Sequence, residues 1–240
     1  SAASLRGAGA RTLPDLRLVL CGGGALDGAT RQAVERLCPG ASLHEFYGAA
    51  ETSFITLGSD DTPVGSVGRA YPGVELRLLD GKRHPTDGPG EVWVRRPDRV
   101  DGYAVGEGPE TRWQEGFVPV GEIGRLDAQG NLTLLGRRNR AVSVADELVF
   151  PEVVEAKLAA LAGSPRAALP LNDALRGTAL VAVVEGAGDP GRAAALLQTC
   201  RAALGPRATP RRLLFHPELP RLLSGKTDFA ALARWLEDAP

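Results

Sequence analysis

The chain has 240 residues and a mass of 25.2 kDa, enough for a buried core and for one to two domains of about 150 residues each. A formal charge of −1 and a pI near 6.3 offer no basic face to nucleic acid or anionic lipid, and 43% hydrophobic with 24% charged residues excludes a mainly disordered chain. No apolar run approaches the ~18 residues of a membrane span, and no secretory signal pattern opens the sequence.

The first element predicted is a strand over Leu16 to Leu20 (LRLVL), whose near-continuous apolar run reads as covered on both faces. It runs into Cys21-Gly22-Gly23-Gly24-Ala25, after which Asp27 offers an N-cap for a helix to about Leu37, closed by Pro39-Gly40. Ser42 to Tyr47 follows as a second strand, so residues 16 to 47 read as a β-α-β piece of a parallel sheet. From about Val64 to Gly136, closely spaced glycines punctuate short runs such as VELRLLD, GEVWVRR and NLTLLGR, the texture of a small β-barrel or sandwich of hairpins. Beyond Arg137 helices and isolated strands alternate: a helix from Pro151 (PEVVEAKLAALAG), a strand over Leu180 to Val184, an Ala-rich helix from Pro190 to Leu204, a strand over Arg212 to Phe215 and a helix from Phe229 to Leu236. The expected fold class is therefore α/β and α+β: the tail of a parallel α/β sheet over 1–60, a Gly-rich β-barrel-like subdomain over 61–136, and a small α+β domain over 137–240.

Cys21, Cys38 and Cys200 are odd in number and widely spaced, which fits small buried hydrophobes in a reducing, cytoplasmic compartment. His44, His84 and His216 lack the spacing of a metal site or triad, and the three Trp read as packing residues. Only three of the 28 Lys and Arg are Lys, at 82, 157 and 226, so a Lys between Gly225 and Thr227 marks a place suited to a compact ammonium. The absence of Met and the Ser1 start are expected of an excised piece.

Two glycine motifs fail their stricter forms. A dinucleotide fingerprint starting at Gly22 needs Gly at 27, where Asp stands, and a phosphate loop ending at Lys226 needs Gly at 220, where Pro stands. CGGGAL remains either a tight turn or a turn whose backbone approaches a phosphate or base closely. Tyr47-Gly48-Ala49-Ala50-Glu51-Thr52-Ser53 is either a hydroxyl-rich turn after a strand or a ligand site at a strand end, with an aromatic face, a carboxylate for a hard metal and hydroxyls for phosphate oxygens.

Taken in order, GGGAL, YGAAETS, GSVG, GEVWV with GY, GFVPVGEIG, GRRNR, VFPEVVE and LPRLLSGK resemble the landmarks of the adenylate-forming superfamily, which comprises acyl-CoA synthetases, peptide-synthetase adenylation domains and luciferases. The resemblance runs from Gly22 to Lys226 and implies an ATP-dependent ligase that makes an acyl-adenylate from a carboxylic acid and passes it to CoA or to the phosphopantetheine thiol of an acyl-carrier protein. It implies that Gly22, Gly23, Gly24 and Ala25 lie against the adenine, that Tyr47, next to Gly48, stacks on it, that Glu51 binds Mg²⁺ and that Thr52 bonds the phosphate. Glu122 stands where the family carries Asp, gripping the ribose of ATP or AMP together with Arg137. Asn139 falls at the hinge of a mobile C-terminal domain, and Lys226 is the lysine that meets carboxylate and AMP during adenylation. The family's larger N-terminal part, with its phosphate loop and most of its acyl pocket, has no counterpart upstream of Arg17, so that portion is an expected partner. Ala145-Asp146 replaces the usual Gly-Gly of the strand lining the thiol tunnel. These departures keep open an alternative, a non-catalytic remnant or module of the same fold that docks on another protein.

Overall fold

The computed structural model describes residues 12–23, 26, 28–59, 61–98, 113–144, 147–173 and 177–239. The chain forms two compact units, Ser1–Leu135 and Gly136–Pro240.

In the first unit, β1 (Leu18–Cys21) pairs in parallel with β2 (Ser42–Ala49), and α1 (Gly28–Leu37) makes the crossover. Antiparallel β3 (Ser53–Leu57) and β4 (Arg69–Ala70) extend this sheet in the order β1-β2-β3-β4. The β-α-β reading of residues 16 to 47 matches these elements, but β1 is not covered on both faces. Leu18 and Leu20 are each 53% exposed: among the described residues nothing covers their face of β1, which is an edge strand paired with β2.

A second sheet joins β5 (Glu75–Leu79), β6 (Gly90–Arg95), β7 (Val118–Leu126) and β8 (Leu132–Arg137) in sequence order. Side-chain alternation divides its faces. Leu78, Val92, Val94 and Leu132 point to a core shared with Ile55 and Tyr47 of the first sheet, while Leu79 and Trp93 pack with Phe117 on the opposite face. Among the described residues this sheet is open rather than a closed barrel; four strands are too few to close around a packed interior, for which about eight are needed.

The second unit is built on a sheet ordered β11-β12-β13: β11 (Arg166–Asp173), β12 (Gly177–Glu185) and β13 (Arg212–His216). Ala168, Leu180, Ala182 and Val184 face α2 (Pro151–Ala162) and α3 (Pro190–Ala208), through Val154, Leu158 and Cys200. Ala167, Leu169, Val181 and Val183 face the other way, toward Leu232 of α4 (Phe229–Asp238) and toward Leu219, which precedes that helix. Asp189 and Asp228 cap α3 and α4 by accepting from Arg192 N and Ala231 N, and α3 is interrupted at Gly205, whose φ of 78° precedes Pro206. A short hairpin, β9 (Val142–Val144) with β10 (Glu147–Val149), precedes α2. Among the described residues no helix is long and apolar enough to cross a membrane.

Candidate functional site

The candidate residues of the first unit gather where β1 and β2 end. Gly22 is required by close approach: a Cβ there would run into the Phe46 ring, and Gly23 then turns the chain with φ 82°. Gly24, Ala25 and the expected cap Asp27 lie outside the described residues. The far side of the turn is tied back to β2 by Leu26 N–H, which donates to Glu45 Oε1 at 3.0 Å. Burial pushes the Glu45 carboxyl above its ordinary range, partly offset by that bond and by Arg31.

Tyr47 and Gly48 sit at a register shift in the β2–β3 pairing. A Cβ on Gly48 would strike the Ser53 carbonyl, so the glycine lets the hairpin close tightly around residues 50–52. Thr52 N–H donates to Ala49 O at 3.2 Å, and Ser53 follows with φ 51°. Glu51 is half-buried in this turn. Thr52 is only 1% exposed, and its hydroxyl is a buried polar atom with no hydrogen-bond partner among the described residues. Buried polar groups ordinarily find a partner, so Thr52 is the atom here whose chemistry calls for one.

Arg96 was invisible as a site residue in the sequence. Its guanidinium NH1 donates to the carbonyls of Thr52 at 2.7 Å and Phe54 at 2.5 Å, stapling the turn, while Asp98 holds its other edge at 2.5 Å. Its only sequence signal is a second Arg following GEVWVR, which reads as surface charge.

Tyr47 meets Glu122 across the two sheets. Its hydroxyl donates to Glu122 Oε2 at 2.9 Å, joining positions 75 residues apart. Gly121, at φ 81°, supplies the backbone turn within β7 just before Glu122. Among the described residues no group of three or more His, Cys, Asp and Glu forms a metal cage. A lone carboxylate such as Glu51 still fits Mg²⁺, which commonly takes one or two protein carboxylates and fills its shell with phosphate oxygens and water.

Arg137, Asn139 and Lys226 belong to the second unit. Gly136, at φ 156°, lies against the Glu152 carboxylate, which accepts from Arg137 N–H at 3.3 Å. Asn139 is exposed in a 3₁₀ turn spanning Arg138–Arg140. Lys226 is exposed on a tight loop in which Leu222 N–H donates to Lys226 O and Gly225 N–H to Leu222 O, both at 2.8 Å, with Gly225 at φ 80°. Ala145 and Asp146, and the GY landmark at Gly102-Tyr103, lie outside the described residues.

An α/β unit followed by a second, α+β unit defines the structural class. Within that class, the family profile described as AMP-binding enzyme matches residues 2–104. The chain is 32% identical over 227 residues to a 2-succinylbenzoate–CoA ligase of Bacillus cereus, covering 91% of this chain and 46% of that protein. The amide bond synthetase McbA of Marinactinospora thermotolerans superposes with TM-score 0.79 at 28% identity, covering 92% of this chain and 47% of that one. ATP-bound MatB from Rhodopseudomonas palustris does so with TM-score 0.79 at 26% identity, covering 92% and 46%. The chain belongs to the adenylate-forming, AMP-binding enzyme superfamily. It spans about half the length of the curated relatives it matches.

Proposed function

We propose that this chain is the C-terminal portion of an ATP-dependent acyl-activating ligase, which forms an acyl-adenylate from a carboxylic acid and passes it to CoA or a carrier-protein thiol. In this reading residues 1–60 end the nucleotide-binding core, 61–136 form a β-subdomain and 137–240 a mobile lid. The observation that carries the proposal is the Tyr47–Glu122 hydrogen bond. Two positions that the resemblance gives to adenine and ribose, 75 residues apart in the chain, meet in one hydrogen bond. Curated relatives named as CoA ligases, and a solved relative named as ATP-bound, support the same reading. The three unpaired cysteines fit a reducing, cytoplasmic setting.

The chemistry explains the residue types. Attack of a carboxylate on the α-phosphate brings two anions together, so the site must neutralise charge and hold the oxygens in line. Mg²⁺, held through Glu51, supplies charge neutralisation on the phosphates. Gly22, Gly23, Gly24 and Ala25 let backbone approach the adenine, and Tyr47 offers its ring face beside Gly48. Glu122 and Arg137 take the ribose hydroxyls, and the Thr52 hydroxyl serves the phosphate. Lys226, a compact cation on an exposed loop, neutralises the meeting carboxylate and phosphate when the lid turns about Asn139.

The test is carboxylate-dependent ATP–pyrophosphate exchange by this chain, alone and combined with the upstream portion of the enzyme. Exchange is expected only with both parts present, and Lys226→Ala is expected to lower it by about 100-fold or more, the loss typical of removing a charge-stabilising group. Undiminished exchange in Lys226→Ala overturns the role of Lys226. No exchange from the combined parts overturns the catalytic reading in favour of a docking module.

A further inference from the structure

One heavily tied side chain of the second unit closes the GRRNR landmark and has no part in the proposed chemistry. Arg140, the last residue of the 3₁₀ turn containing Asn139, donates through Nη1 to Glu152 Oε1 at 2.9 Å and through Nη2 to Glu155 Oε1 at 2.6 Å and to Ala168 O at 3.0 Å. The three ion-pair partners are largely sheltered, with 24%, 25% and 18% of the Arg140, Glu152 and Glu155 side chains exposed. Such pairs are screened far less than surface ones. Glu155 Oε1 also accepts from Ala168 N–H at 2.9 Å, so one carboxylate fastens both the arginine and β11. The guanidinium also lies over the Phe229 ring, 4.2 Å from its centroid.

Phe229 is the first residue of α4, and Lys226 stands three positions before it. The link between them is short and held. Asp228 caps α4 through Ala231 N–H at 2.9 Å, its own N–H donates to Pro220 O at 2.8 Å, and an antiparallel bridge joins Arg221 to Thr227 across the Lys226 loop. Arg140 thus connects the turn carrying the hinge position to the base of the lysine loop, with α2 and β11 as its frame.

We propose that Arg140 is a positioning residue for Lys226. It makes the end of the hinge turn and the base of the lysine loop one rigid piece, so that movement at the hinge position Asn139 reaches Lys226 undiminished. The planar fork is needed, because a lysine cannot hold two carboxylates and a carbonyl while stacking on a ring. The proposal rests on the assignment of Lys226 given above.

The test is pyrophosphate exchange by the combined parts, with Arg140→Ala, Arg140→Lys, Phe229→Leu and the Arg140→Ala/Phe229→Leu double variant, each assayed well below its thermal midpoint. Arg140→Ala and Arg140→Lys are expected to lower kcat by about 10- to 100-fold, the size of effect that misplacing a reacting group produces, with KM for ATP unchanged within about twofold. Phe229→Leu, which keeps apolar volume and removes the ring, is expected to lower kcat by about threefold, and the double variant to be no worse than Arg140→Ala alone. Three results overturn the proposal: kcat unchanged in both Arg140 variants while Lys226→Ala is inactive, a rise in KM matching the fall in kcat, or losses that multiply in the double variant. In each of these the assignment of Lys226 survives, whereas a wild-type protein without exchange removes both.

Discussion

Replacing Glu122 by Asp restores the residue that the family pattern carries, and in this chain it is expected to weaken rather than improve nucleotide binding. Tyr47 Oη and Glu122 Oε2 are 2.9 Å apart. Removing one methylene withdraws the carboxylate by about 1.3 Å, which puts the pair near 4.2 Å, beyond hydrogen-bond reach. A hydrogen bond to a charged acceptor contributes roughly 1.5–3 kcal/mol, and because both side chains are only half-buried, screening brings the expected loss to about 1 kcal/mol. That corresponds to a thermal midpoint lower by about 3 °C for a chain of this size. The same loss, felt as freedom of the Tyr47 ring, weakens AMP affinity about fivefold. The assay is a double-mutant cycle of Tyr47→Phe and Glu122→Asp, followed by thermal unfolding and by AMP titration. Tyr47→Phe keeps the ring and removes only the donor, so the Glu122→Asp effect should nearly vanish in its background. Effects that add to within about 0.3 kcal/mol, or an Asp variant that binds AMP as tightly as wild type, refute the coupling.

Two further predictions follow from local geometry. Gly136→Ala places a Cβ 2.5 Å from Glu152 Oε2 and 3.1 Å from Phe150 Cβ at a backbone φ of 156°; an expected loss of about 1–3 kcal/mol should appear as a lower denaturant midpoint, and an unchanged midpoint refutes it. Glu45→Gln concerns a carboxyl raised by burial. The folded chain holds its proton more tightly than the unfolded one, so the contribution to stability is full below the unfolded value and is lost as pH rises through the folded one. Gln keeps an oxygen for Leu26 N–H without the charge. Its thermal midpoint should therefore exceed that of wild type near neutral pH and converge with it toward about pH 4, whereas a gain that grows on acidification has the wrong sign.

What could be read from the sequence were features encoded within a few residues. The β1-α1-β2 unit announces itself through an apolar run, a glycine turn and a second run, and α2 and α3 through Pro at their first turns. Strand β11 did not, because RAALPLND is rich in Ala and carries Pro170, which reads against a central strand. The structure tolerates it because β11 is the edge of its sheet, where among the described residues it pairs with β12 alone, over eight residues. The β9–β10 hairpin has three residues per strand, too few for alternation to register. The exposed face of β1 was misread for a related reason: an apolar run states what a strand can bury, and only its neighbours decide what it does bury.

The candidate site divides along the same line. Motif order located Tyr47, Glu51 and Glu122, because each is a residue type at a fixed place among glycines. It gave no role to Arg96, or to Arg140 at the end of GRRNR, whose partners include backbone carbonyls 44 and 28 residues away, groups that every residue carries and no composition reveals. Position 122 shows why type alone is insufficient. By sequence the extra methylene is a departure that lengthens a grip on ribose. In the fold it is the length that lets a carboxylate on β7 reach a phenol on β2. A substitution that looks like decay at one contact is a fitted dimension at another, and the Asp variant distinguishes the two because only the second reading makes the family's own residue the harmful one.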